Sequence, residues 1–151
     1  MSTFVNRIDA KGRVSVPAKF REILEAQGAR SIYVRASISE ASVEAGGQDW
    51  LNLYQDMVAN HDPTSELHDD YALAYIGEAT DLAWDSEGRV VLPEMLLRHA
   101  NLEDAAAFAG YGDHFRIWEP KALEIRMLKA RRSAAEHRGQ LRAKANGGGA
   151  P

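Results

Sequence analysis

Two aspartates stand where chemistry could be done. Asp9 and Asp85 each open the pattern D-x-x-G-R, completed by Gly12 and Arg13 in one copy and by Gly88 and Arg89 in the other. Carboxylates brought together across a twofold can share a proton and drive hydrolysis. Each of these aspartates, however, precedes a small residue, Ala10 or Ser86, and lies four positions before an arginine. An aspartate that opens a tight turn more often accepts backbone N–H bonds and pairs with such an arginine. Asp9 and Gly12 are therefore assigned to a turn and its ion pair, and no catalytic residue is expected. The five histidines, His61, His68, His99, His114 and His137, form no H-E-x-x-H pair, so zinc hydrolysis lacks its scaffold. His61 and His68 stand among Asp62, Asp69 and Asp70, which reads as a solvated acidic loop rather than a divalent-ion site. No nucleophile elbow, phosphate loop or dinucleotide fingerprint occurs. The absence of cysteine removes disulfides, thiolate metal sites and a cysteine nucleophile. No enzymatic activity, metal, cofactor or small-molecule substrate is expected.

The basic groups are more informative. Arg7, Lys11 and Arg13 flank the first turn, and Lys19 and Arg21 follow on the next segment. A two-stranded ribbon carrying Lys and Arg fits the major groove and can meet phosphates. Glu87 stands where the first copy has Lys11, so the field at the second turn is weaker. A solvated turn closed by two Asp–Arg pairs competes with this reading, and the turn alone does not separate them. The net charge of −4 conceals an uneven distribution: residues 1–35 hold seven basic and three acidic groups, and residues 36–100 two basic and thirteen acidic. A polyanion feels such a local patch within a Debye length of ~8–10 Å, not the bulk charge. Charge asymmetry by itself is also what an ordinary solvated surface shows.

These residues must be positioned by something, and the chain repeats itself. Residues 8–20 align with residues 84–96 at an offset of 76, sharing D-x-x-G-R-V-x-x-P. Apolar character also matches at Ile8/Trp84, Val16/Leu92, Phe20/Leu96 and, further on, Ile32/Phe108. Two copies are too few for a solenoid and suggest a pseudo-twofold domain. The division expected is residues 1–76, residues 77–145 with a C-terminal helix, and a disordered glycine-rich tail at 146–151. In each copy a short strand (4–9 or 80–85) enters the turn, an alternating strand leaves it, and Pro17 or Pro93 opens a helix. The first helix presents Phe20, Ile23 and Leu24 on one face and ends at Gly28; Asn101 takes that place in the second. Strands are expected at 31–37, 105–110 and 115–118, a loop at 39–47, and helices at 48–59, 65–75 and 120–138. The last carries Lys121, Arg126, Lys129, Arg131, Arg132 and Arg138 opposite Leu123, Met127, Leu128 and Ala134, a packing face backed by a wet one. A length of 151 residues with 45% apolar content suffices for a core. No apolar run of ~18 residues and no signal-like N-terminus occurs, so a cytoplasmic protein is expected.

Duplicated D-x-x-G-R turns, each running into V-x-x-P and a helix, resemble the MraZ transcriptional regulators of the bacterial division and cell-wall gene cluster. Residues 3–21, T-F-V-N-R-I-D-A-K-G-R-V-S-V-P-A-K-F-R, and 76–93, I-G-E-A-T-D-L-A-W-D-S-E-G-R-V-V-L-P, carry the likeness, which extends over about 3–138. It implies an α+β fold: a duplicated swapped-hairpin (AbrB/MraZ-like) β-barrel with flanking helices and a pseudo-twofold. It also implies a ring-shaped homo-oligomer that binds direct repeats in double-stranded promoter DNA, usually repressing its own operon, in the cytoplasm at the nucleoid. The family's DNA-contacting positions fall on Lys11 and Arg13; Arg7, Lys19 and Arg21 are added from local charge. Asp85, Gly88 and Arg89 form a second motif with a structural or auxiliary role. The acidic middle departs from many relatives. The alternative is an oligomeric scaffold binding protein partners through that middle and the C-terminal helix, which salt-insensitive partner binding without a DNA shift would favour.

Overall fold

The computed structural model describes residues 2–141, and the chain forms two compact units, residues 1–120 and 121–151. The tail expected at 146–151 lies outside the described residues. The first unit begins with β1 (Thr3–Arg7), β2 (Arg13–Ser15), α1 (Ala18–Ala26), β3 (Ser31–Ala36) and β4 (Val43–Gly46). Then come α2 (Gln48–Ala59), α3 (Glu66–Tyr71) and a π-helical stretch, Ala72–Gly77. It continues through β5 (Thr80–Ala83), β6 (Arg89–Val91), α4 (Glu94–His99), β7 (Ala105–Gly110) and β8 (Phe115–Trp118). The second unit is built on α5 (Pro120–Glu136), along which Ile125 and Leu128 are exposed.

Six strands form one antiparallel sheet in the order β1-β7-β8-β4-β3-β5, and β2 pairs with β6 in a separate ribbon. Each short opening strand therefore pairs with a strand from the other half of the chain: β1 with β7, β5 with β3. Among the described residues no ladder joins β1 to β2; they meet at the Ile8–Val14 bridge, the Asp9 N–H bond to the Arg13 carbonyl and the Asn6 Nδ2 bond to the Ser15 carbonyl at 2.7 Å. Among the described residues no ladder joins the edge strands β1 and β5, so the ladders do not themselves close the barrel that the resemblance implies. The core between sheet, ribbon and helices includes Val14, Phe20, Ile32, Val90, Leu96 and Phe108, all nearly solvent-free. Phe20 stacks on Phe115 at 4.6 Å. Pro17 and Pro93 end the ribbon strands and cap the helices; their extended backbones turn carbonyls toward the N–H groups of Phe20 and Leu96.

The structure corrects four expectations. Residues 43–46 are a fully buried strand, β4, not part of a loop; Glu44 at its centre breaks the apolar pattern because it is an ion-pair partner. The helix expected to run to residue 75 ends at Tyr71 and widens into the π stretch, with the Ser65 hydroxyl accepting the Leu67 N–H at its start. Ile23 is 45% exposed, whereas Phe20 and Leu24, one turn apart, face inward. The Ile32/Phe108 match also fails. α4 is three residues shorter than α1 and the connection after it one residue longer, so the strands that follow are 74 positions apart and Phe108 corresponds to Val34. The hydrogen bonds agree: Ile8 N–H donates to the Asp104 carbonyl and Trp84 N–H to that of Arg30.

Candidate nucleic-acid interface

The two D-x-x-G-R turns have the same internal construction. In the first, one Asp9 carboxylate oxygen accepts the N–H groups of Lys11 (3.0 Å) and Arg13 (2.9 Å), and the other accepts Arg13 Nε at 2.6 Å. In the second, Asp85 accepts the N–H groups of Glu87 and Arg89 and the Nε of Arg89, each at 2.9 Å. Gly12 and Gly88 donate to the aspartate carbonyls at 3.0 and 2.9 Å, and both have φ of +78°. That left-handed conformation explains glycine there. The turns also brace each other, because Gly12 accepts the Leu92 N–H and Gly88 the Val16 N–H. Antiparallel pairing of Val14 with Val90 places both tips on the same ribbon.

These bonds use the aspartates as turn organisers. The Arg13 backbone N–H holds the Asp9 carboxyl below its ordinary value, and the Arg89 backbone N–H does the same for Asp85. Both groups stay ionised, which disfavours a proton-sharing dyad. A carboxyl depressed in the fold adds stability that is complete above its unfolded pKa, near 3.8, and is lost as pH falls through the lower folded value. Asp9→Asn with Asp85→Asn is expected to lower the urea midpoint at pH 7 and to flatten its fall below about pH 4. An acid limb as steep as that of the parent protein would contradict this.

The structure divides the expected basic residues. Lys11 is exposed at the first tip and Arg13 is half-buried beneath it. Arg7 and Lys19 are exposed on β1 and α1. Arg21 instead reaches the second turn: its Nε donates to the Val16 carbonyl at 2.9 Å, and its guanidinium lies where a Cβ on Gly88 would stand. Leu97 occupies the matching place beside Gly12. The offset of 76 already pairs Arg21 with Leu97, and that signal could have revealed the crossing. Gly88→Ala is expected to cost about 1–2 kcal/mol for the left-handed backbone plus the displacement of Arg21. Gly12→Ala, whose nearest neighbours lie at 3.5 and 3.7 Å, is expected to cost less; urea titration ranks them.

Arg89 is held more tightly than Arg13, since its Nη2 also meets Glu87 at 3.2 Å. A cavity of about 730 Å³ beside this turn is lined by Arg21, Arg30, Trp84 and Asp85, a mixture of charges. Asp62, in the acidic middle, spends one oxygen on the backbone and hydroxyl of Thr64. Among the described residues no group of three histidine or acidic side chains is arranged to hold a metal ion, and no helix is long and apolar enough to cross a membrane.

Residues 75–143 match the sequence model of a family described as "MraZ protein, putative antitoxin-like". A protein of Xanthobacter autotrophicus named "Transcriptional regulator MraZ" is 40% identical over 91% of this chain and 88% of its own length. The chain belongs to the MraZ family. Proteins of the same name from Rickettsia akari (37% identical) and Pelagibacter ubique (38%) each align over 94% of this MraZ-family chain and over 95% and 92% of their own lengths. In all three the alignment is too long to leave out both turns, so membership rests on nearly the whole chain.

Proposed function

We propose that this chain is a DNA-binding transcriptional regulator that meets double-stranded promoter DNA through its first D-x-x-G-R turn. The observation that carries this is the asymmetry of the turn: a rigid, aspartate-braced tip presents Lys11 and Arg13 with a single carboxylate to offset them. Such a tip enters the major groove without reorganising, with Arg13 and Lys11 toward base edges and Arg7 and Lys19 near the backbone. Arg21, drawn to the second turn, contributes there or not at all. Sequence-specific recognition of direct repeats, repression of its own division and cell-wall operon, and action at the nucleoid in the cytoplasm are parts of the same proposal. The halves 1–76 and 77–145 are proposed to be copies of one swapped-hairpin unit, an arrangement supported by the exchanged pairing of β1 with β7 and β5 with β3.

One tip makes only a few phosphate contacts, and each released counterion contributes about −0.9 to the slope of log affinity against log salt. A single subunit therefore binds weakly. Assembly into a ring converts each further contact on spaced repeats into an intramolecular one, and repeat spacing becomes part of specificity. Fluorescence anisotropy with DNA from upstream of the gene and a scrambled duplex tests this. A clear preference for the upstream DNA, weakening as salt rises, is expected; equal weak binding to both would overturn sequence-specific regulation and bring the scaffold alternative forward.

A further inference from the structure

We infer that Glu87 silences the second turn as a phosphate contact, so that the paired-turn ribbon meets DNA in one orientation only. The inference deepens the DNA-binding proposal and rests on it. The two tips share backbone bonds, glycine conformation and aspartate–arginine pairing, so an unbiased ribbon would offer DNA two equivalent ends. Their charged side chains differ. The first tip's own residues Asp9, Lys11 and Arg13 sum to one positive charge; the second's, Asp85, Glu87 and Arg89, sum to one negative charge, which Arg21 from α1 brings to zero.

Arg89 shows how this works. Its Nε is bound to Asp85 at 2.9 Å and its Nη2 to Glu87 at 3.2 Å, so two edges of the guanidinium fork face carboxylates. Glu87 is largely exposed, with 68% of its side chain open to solvent, and a phosphate approaching Arg89 meets that carboxylate first. Arg13 has a carboxylate on Nε alone, and Lys11 occupies the outer position. Arg21, lying against Gly88, adds a second guanidinium to the guarded tip. Neutralising Glu87 therefore exposes a cationic surface that is already built. With Glu87 in place, each subunit has a defined polarity along the duplex, the geometry that head-to-tail arrays of sites require and inverted ones do not.

The test uses the full chain and anisotropy on upstream DNA across a salt series, with parent protein, E87Q, R89Q, E87Q/R89Q and R13A. Thermal melting monitors folding, and the salt slope of E87Q, which leaves Arg89 in place, carries the test if R89Q melts early. E87Q is expected to tighten binding on the order of fivefold at low salt and to steepen the salt slope by about one. R89Q is expected to change affinity less than twofold alone and to remove most of the gain when combined with E87Q. Unchanged affinity in E87Q would overturn the inference, as would an R89Q loss matching that of R13A. Failure of the parent protein to bind, or unchanged binding in R13A, would instead remove the first-turn proposal itself.

Discussion

Arg13→Ala is expected to weaken binding to upstream DNA on the order of 100-fold while leaving the fold and its assembly intact. A bidentate base-edge contact is worth about 1–3 kcal/mol, and in the proposed ring several engaged subunits would multiply the loss because each lost contact also lowers the local concentration for the next. The fold survives because Asp9 keeps the backbone N–H groups of residues 11 and 13 at 3.0 and 2.9 Å. The Asp9 carboxylate, no longer paired with a guanidinium, would add repulsion toward a polyanion at the proposed interface. Arg13→Lys keeps the charge but loses the planar fork and is expected to fall between the two. Lys19→Ala, which removes one peripheral charge, is expected to cost no more than a few-fold and to lower the salt slope by about one. Anisotropy measures the affinities, and light scattering shows whether assembly is unchanged. An Arg13→Ala protein that binds like its parent would remove the turn from the interface.

Glu44→Ala is expected to destabilise the fold by about 3–5 kcal/mol. Arg35 is 1% exposed and Glu44 6%, and they meet at 2.8 Å across the β3–β4 ladder. Arg116 Nη2 lies 3.5 Å from the other Glu44 oxygen. Losing the carboxylate would leave the buried Arg35 guanidinium without its carboxylate, while Arg116 keeps Glu40 at 3.7 Å and His114 at 3.1 Å. Arg35 is also enclosed by Trp50, Tyr54 and Tyr75, with ring centroids 4.1 to 4.9 Å from its Cζ, and donates to the Tyr75 carbonyl at 2.7 Å. It thus fastens α2 and the π-helical stretch to the sheet. A domain of this size is stable by about 5–15 kcal/mol, so the loss would be a large share of the whole. Glu44→Gln retains volume and one acceptor and is expected to cost less. Arg35→Met combined with Glu44→Leu removes both charges and is expected to recover much of the difference. Urea titration orders the variants; a single Glu44→Ala within 1 kcal/mol of the parent would show that the network carries little.

What could be read from the sequence depended on whether the side chains advertised their surroundings. The turns could be, because Asp, Gly and Arg at fixed spacing have few other uses, and the copies repeat them. β4 could not. Its central residue is charged, and only the distant Arg35 and Arg116 make Glu44 an interior residue. The alignment beyond the helices slipped by two because α4 is three residues shorter than α1 and the connection after it one longer, a change that periodicity alone does not reveal. Arg21 looked like part of the first basic patch because it follows it in the chain. The crossing of the two halves in the β2–β6 ribbon carries it to the second turn. The π-helical stretch has no pattern that distinguishes it from the end of an ordinary helix.

The first tip is expected to touch DNA and the second is not. The chain has no cysteine, so a single photo-crosslinker can be placed at will. Ala10→Cys and Ser86→Cys occupy matching exposed positions in the two turns and leave every charged residue in place. Each labelled protein, bound to upstream DNA and irradiated, reports which tip lies within reach of the duplex. Strong crosslinking from position 10 and little from position 86 is the expected result. No crosslink from position 10 in a protein that still binds the DNA would contradict the account.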